Sequence, residues 1–338
     1  MFNLDTTPGR TAMVNGKEYL FFSGYSYLGM NHVSQFVGLV KEGIDKYGLL
    51  HPSSRISNTT LDLFEAFETK LAEITSSETA VCFTSGFLAG RAVMEVLKHE
   101  TIFCAPAAHP AICDERNTDQ TFGQWTEAVL SEIDKATGTP VLAFDSVNPL
   151  TAEVNDVSFL EKIEKKIICI IDDSHGAGLI RNGKGISARL PKKENIEYVI
   201  TYSLSKAFNL VGGAVSCSDR FAKQLRSCSY YTASTSIAPA FAYAFVNGQH
   251  LYQQQRELLK RNIQLATRLT KYVPAPGNHE LPVFILPGDV DENKLETEGI
   301  IISSFAYPDP KGKKIKRVVL SALHTEADLR KLADQLFK

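Results

Sequence analysis

Five short apolar runs, residues 79–84, 101–105, 141–145, 167–172 and 197–202, are separated by polar or helical stretches. Runs of this length, apolar on both faces, suit a parallel sheet covered by helices on each side. The first run meets Ser85-Gly86, and a helical stretch reaches Lys98. Ahead of it, residues 60–75 carry Leu63, Phe67, Leu71 and Ile74 at helical spacing. The pattern predicts an α/β large domain over residues 49–238.

Beyond residue 238 the pattern changes. A long helix is predicted over 239–271, then a Pro-Ala-Pro-Gly break at 274–277, and β-like runs at 283–286, 300–303 and 316–321. A helix over 326–337 closes the chain. Residues 239–338 therefore read as a smaller α+β domain. Residues 1–48 hold a β pair (11–14, 19–22) and a helix (33–47) stopped by Gly48. They read as an arm joining the small domain.

Net charge is -2, from 36 basic and 38 acidic residues, which argues against a nucleic-acid binder or polybasic anchor. No apolar run reaches the ~18 residues of a membrane span, and no signal peptide is visible at the N-terminus. With 338 residues the chain can bury a core without disulfide or metal staples. Six cysteines form no C-x-x-C pair, and Cys82, Cys169 and Cys217 sit in apolar runs. Buried reduced thiols, and hence a cytoplasmic location, are the expectation.

Ligands of open α/β sheets lie at the carboxyl ends of the strands, so the residues following each run matter most. Ser85-Gly86-Phe87 opens a helix, either as an anion site or as a plain turn. Asp172-Asp173-Ser174-His175 follows the fourth run. It could cap a helix, bind metal if a third ligand existed, or orient a heterocycle, since a carboxylate beside a pyridine nitrogen keeps it protonated. Ser203-Leu204-Ser205-Lys206 follows the fifth run. Its lysine could form a Schiff base if desolvated. The serine acyl-enzyme reading of Ser203-x-x-Lys206 lacks a downstream K-T-G. His109 follows the second run and could lie over a planar ring or be an ordinary loop histidine. The hydroxyl cluster from Thr232 to Ser236, including Thr235, could bind phosphate or cap the next helix at Ser236. Together these groups are the equipment for holding pyridoxal phosphate.

With these residues assembled, the sequence resembles the α-oxoamine synthases, fold-type I pyridoxal-phosphate enzymes that include the oxononanoate synthases and the aminoketobutyrate ligases. The blocks carrying the resemblance are Tyr27-Leu28-Gly29, Ser53-Ser54-Arg55, the amphipathic stretch 64–74, Phe83 to Leu88, Asp172 to Leu179, Ser203 to Asn209 and Ser234 to Ala240. The resemblance implies a large domain with a mostly parallel seven-stranded sheet, sandwiched by helices, and a small C-terminal domain. It implies that Lys206 holds the cofactor and later moves a proton, Asp172 pairs with the ring nitrogen, His175 meets the ring hydroxyl and His109 stacks on the ring. Ser85, Gly86, Phe87, Ser203 and Ser205 would surround the phosphate, and Thr235 would reach the phosphate of a second copy in a homodimer. The implied reaction condenses a small amino acid with an acyl-CoA, with decarboxylation, to an aminoketone, as in the oxononanoate reaction of biotin formation. Another reaction of the same cofactor (aldolase, lyase or aminotransferase) and a non-catalytic partner subunit are the alternatives.

Four positions depart from the family pattern, one of them Phe64, which stands where a histidine usually precedes the amphipathic block. Tyr25 replaces an asparagine, and Pro149 stands where a phosphate-side serine is usual. At the Arg-x-Arg that precedes the C-terminal strand end, Ile315 holds the first arginine's place, the one taken to grip the substrate carboxylate, and Arg317 the second's. Tyr25, Arg55 and Arg317 are the substrate-side candidates, with Lys313, Lys314 and Lys316 as possible stand-ins for the missing arginine.

Overall fold

The period-2 and period-3.6 patterns settle into two sheets with helices around them in a computed structural model, which describes residues 2–114, 120–148, 150–270, 280–306 and 311–336. The chain opens with β1 (Thr11–Val14) and β2 (Lys17–Phe22), then α1 (Ser34–Tyr47), closed by Gly48. Next come α2 (Asp62–Thr75), β3 (Thr79–Phe83), α3 (Gly86–Val96) and β4 (Ile102–Cys104). They are followed by α4 (Phe122–Lys135), β5 (Val141–Asp145), β6 (Ile167–Asp172), β7 (Ile196–Ser203) and β8 (Gly213–Cys217). Helices α5 (Asp219–Ser227), α6 (Ser229–Thr232), α7 (Pro239–Asn247) and α8 (Gln249–Leu269) lead to β9 (Val283–Ile285). Helix α9 (Glu292–Thr297), β10 (Ile300–Ala306), β11 (Lys314–Val319) and α10 (Glu326–Leu336) complete the fold.

The larger sheet has the order β3-β8-β7-β6-β5-β4. Strands β4 to β7 are mutually parallel, while β8 runs antiparallel to both β7 and β3. Alternate side chains of a strand point to opposite faces, and both faces are buried here. Leu142, Phe144, Cys169 and Ile171 meet Phe67 and Leu71 of α2, Trp125 and Val129 of α4, and Phe245 of α7 in one core. Val141, Ala143 and Ile170 meet Val93 of α3 with Phe221 and Leu225 of α5 in the other. Full burial of such a side chain contributes roughly 1.5–3 kcal/mol, so the two cores hold the strand ends rigidly. The smaller sheet has the order β1-β2-β10-β11-β9, with β2 parallel to β10. The N-terminal arm is thus built into the C-terminal sheet.

The structure differs from the sequence reading at several points. The large sheet has six strands among the described residues, against the seven implied. The described part of the stretch between Cys104 and Thr121 contains two prolines and forms turns instead of a strand. The helix predicted over 239–271 is two helices, broken at Gly248. A Cβ at Gly248 would lie 2.7 Å from the Ala244 carbonyl and 3.1 Å from the Phe36 ring, so α1 packs against the break. Ser236 does not cap α7; its N-cap is Ala238, with Pro239 in the first turn. The Pro-Ala-Pro-Gly break lies outside the described residues.

Not every cysteine is a reduced thiol. Cys104 and Cys113 form a disulfide with their Cα atoms 6.0 Å apart, while Cys82, Cys169, Cys217 and Cys228 are free. The paired cysteines stand outside the strand interiors, one ending β4 and the other following the turn through Ala107 (φ 59°) and His109. That turn doubles the chain back, which the eight-residue gap could not reveal. Alkylation in denaturant without reductant is expected to label the four free cysteines and leave one linked 104–113 peptide by mass spectrometry. Labelling at all six positions would show the pair to be reduced.

Candidate active site

Strand register assembles the site. Asp145 at the end of β5 stands opposite Asp172 of β6, which stands opposite Thr201 of β7. Their carboxyl ends therefore present side chains at one level. Gly213, the first residue of β8, pairs with Ser203 on one side and Phe83 on the other. This brings the β3–α3 turn against the end of β7. A Cβ on Gly86 would lie 2.7 Å from the Ser203 Cβ, and one on Gly213 only 2.3 Å from the Ser85 carbonyl oxygen. Glycine is needed at both positions for this approach.

At that junction the Ser85 hydroxyl caps α3 by accepting the Leu88 N–H at 3.1 Å. The amides of Gly86 and Phe87 precede the first bond of the helix, which Ala89 donates to the Ser85 carbonyl. Early amides of this kind, with the helix dipole behind them, favour an anion. The Ser203 and Ser205 hydroxyls, 2.8 Å apart, flank the same turn. The Ser203 amide is anchored by the Ser174 hydroxyl at 2.9 Å.

Asp172 is buried, with one carboxylate oxygen accepting the Ser174 N–H at 2.9 Å. The other lies 3.8 Å from His109 Nδ1. That nitrogen accepts the Ala111 N–H at 3.2 Å, and the His109 amide donates to Asp145 at 2.9 Å. The neighbouring Asp173 turns into the protein, accepting from the Ser146 hydroxyl and from the Ile186 N–H at 2.8 Å. Burial pushes its carboxyl up to about 7, and it ties down the loop that carries His175. His175 is held well below its ordinary pKa by burial, with the Lys206 and Arg317 cations adding to the effect. Its Nδ1 lies 2.8 Å from the Tyr27 hydroxyl.

Lys206 follows β7, within electrostatic reach of Asp172, Asp145 and Arg317. Burial lowers its pKa, the two carboxylates oppose this, and Arg317 reinforces it. A lysine so placed has a larger neutral fraction and is a better nucleophile toward a carbonyl.

A pocket of about 50 Å³ is lined by Tyr25, Tyr27, His175, Asn148, Arg317 and Val319. Arg317 also lies over the Phe305 ring, 5.2 Å from its centre. Two lysines of the basic run turn elsewhere. Lys314 pairs with Glu292 at 2.7 Å, and Lys316 donates to the Gly288 and Val290 carbonyls.

Arg55 is not part of this site. Its guanidinium pairs with buried Glu68 at 3.1 Å, contacts Cys82 Sγ at 3.2 Å and stacks over the Phe64 ring. A buried carboxylate demands a partner, and Arg55, with Arg226 at 3.2 Å, meets that demand. Thr235 is exposed, and Pro149 lies outside the described residues. Sequence reasoning passed over Asp145, the Tyr27 hydroxyl and Asn209. The signal for Asp145 was its place at a strand end level with Asp172.

The donor set fits pyridoxal phosphate. An amide-rich cradle that only glycine allows, a buried acid, two histidines and a partly desolvated lysine converge at one sheet edge. Fold and site together define a fold-type I pyridoxal-phosphate enzyme. The chain belongs to the aminotransferase class I and II family, whose profile matches residues 18–336. It is similar to the 8-amino-7-oxononanoate synthase of Buchnera aphidicola subsp. Baizongia pistaciae, at 26% identity covering 97% of this chain and 91% of that protein. The enzyme of that name from Lysinibacillus sphaericus is 27% identical, covering 96% of this chain and 90% of that protein. Among solved structures, serine palmitoyltransferase of Sphingomonas wittichii matches with a TM-score of 0.79 at 18% identity, covering 99% of this chain and 90% of that one. The 8-amino-7-oxononanoate synthase of Francisella tularensis matches with a TM-score of 0.72 at 23% identity, covering 94% of this chain and 96% of that one.

Proposed function

We propose that this protein is an acyltransferase that condenses a small amino acid with an acyl-CoA, releasing CoA and carbon dioxide and leaving an aminoketone, in the manner of an 8-amino-7-oxononanoate synthase. The observation that carries the reading is Arg317. It lines a small pocket with Tyr27 and His175 and acts electrostatically on Lys206, in a chain similar over nearly its whole length to proteins of that name. When bound, the cofactor supplies an electron sink for a carbanion at the amino-acid Cα.

The chain's own groups then divide the work. Asp172 holds a proton on the ring nitrogen, and His109 covers the ring. The Gly86 and Phe87 amides hold the phosphate. Lys206 moves the proton at Cα. Arg317 grips the substrate carboxylate, a task for which a planar guanidinium suits better than an ammonium. The small pocket limits the substrate's side chain. Two copies form the active unit in this reading, with exposed Thr235 reaching the neighbour's phosphate, and four free thiols against one disulfide keep the cytoplasm as the proposed compartment. The division into an arm (1–48), a cofactor domain (49–238) and a small domain (239–338) belongs to the same proposal.

CoA thiol release from an acyl-CoA with alanine, glycine or serine tests it. Arg317→Ala is expected to raise the amino-acid KM by roughly 30-fold to 10³-fold, the scale of leaving a buried charge partner unpaired, with little change in the acyl-CoA KM. Amino-acid turnover without any thioester would instead mark another reaction of the same cofactor.

A further inference from the structure

The N-terminal arm delivers a tyrosine into the site. Its strand β2 belongs to the small sheet, but the following loop crosses to the lysine-bearing turn. Asn209, three residues past Lys206 and in the left-handed region at φ 53°, accepts the Met30 N–H at 2.9 Å and donates to the Ser26 hydroxyl at 2.8 Å. On the other side the Tyr27 carbonyl accepts the Ala322 N–H at 2.9 Å, just beyond the strand that carries Arg317. Tyr27 is clamped between these anchors and is 2% exposed. Its hydroxyl lies 2.8 Å from His175 Nδ1.

The proton positions follow from what each neighbour can accept. Burial raises the Tyr27 phenol well above its ordinary pKa, so it keeps its proton. Arg317, the nearby cation, has only donors to offer. Of the pair 2.8 Å apart, the phenol is the stronger acid and the imidazole nitrogen the stronger base, which favours the phenol as donor and Nδ1 of His175 as acceptor. A neutral imidazole carries one N–H, and with Nδ1 engaged as acceptor that N–H sits on Nε2.

We propose that Tyr27 is a positioning residue that sets the ring tautomer of His175, leaving Nε2–H as the donor offered to the cofactor's ring oxygen. The proposal rests on the reading of the site as a pyridoxal-phosphate site, but its first test does not. In ¹⁵N-labelled full-length protein without added cofactor, wild-type His175 should show an unprotonated Nδ1 and a protonated Nε2 across neutral pH. The signal is assigned by its loss in His175→Gln. Tyr27→Phe keeps the packed ring and removes only the hydroxyl, so His175 should become a mixture of tautomers.

In the cofactor-loaded protein, Tyr27→Phe should shift the pH titration of the visible absorption band upward, because a weaker donor leaves the ring oxygen more basic. It should also lower kcat about tenfold, the scale of one hydrogen bond, with the amino-acid KM nearly unchanged. A wild-type His175 protonated on Nδ1 would overturn the proposal, and that measurement needs no variant to fold. An unchanged tautomer and unchanged absorption titration in a folded Tyr27→Phe protein would overturn it as well. If the tautomer behaves as expected but no cofactor binds, the failure belongs to the reading of the site instead.

Discussion

Lys206→Ala is expected to lower CoA release by at least ~10⁴-fold, the upper end of what one positioned acid–base group contributes. The proposed function gives this lysine two tasks, attaching the cofactor and moving a proton, and alanine can do neither. The variant should still bind pyridoxal phosphate, because the amides of Gly86 and Phe87, Asp172 and His175 are untouched. It should, however, lose the linkage that borohydride fixes to the protein. Peptide mapping after borohydride treatment checks this: wild type carries the label at Lys206, and the variant carries none. A label on another lysine would move the chemistry away from the end of β7. Stability should change little or rise, because the variant removes an amine that burial penalises.

Asp172→Asn is expected to lower kcat roughly 10²-fold to 10³-fold, the range for losing one preorganised electrostatic contact. The substitution is nearly isosteric, and its side-chain oxygen can still accept the Ser174 N–H, so the turn keeps its shape. What it loses is the negative charge that, in the proposed function, would hold a proton on the ring nitrogen. A purely structural role for Asp172 would predict a fall in melting temperature with kcat spared. The electrostatic role predicts the reverse, and kinetics alongside thermal unfolding separate the two.

The grouping of candidate residues at the carboxyl ends of the large sheet could be read in the sequence because parallel strands advertise their ends. Apolar runs such as 141–145 and 167–172 stop at acids, and in a parallel sheet those stops align without knowledge of the loops. Lys206, Asp172, His175 and His109 were all legible in this way. Groups contributed by crossings between the sheets were not. The Tyr27 motif was visible, but its contact depends on an arm that pairs with β10 and on Asn209, which reaches back to it. The Arg55 block carried the family resemblance, yet the burial of Glu68 decided where that guanidinium points. Strand β8 was passed over because it is five residues long and opens on a glycine, a weak strand signal. Gly213 begins the strand and also makes room for the Ser85-Gly86 turn.

The pairing of β2 with β10 has a consequence for biosynthesis. Leu20 waits for Ile300, and the Arg10–Asp328 ion pair joins residues separated by 318 positions. At ~5–20 residues per second, the leading segment emerges from the ribosome tens of seconds before its partners exist. The six-strand layer can mature during that interval, whereas the tyrosine loop locks into place only at the end of translation. Nascent chains arrested shortly before Ile300 should therefore hold a protease-resistant middle and a digestible leader, and catalytic competence should arrive as the final event of synthesis.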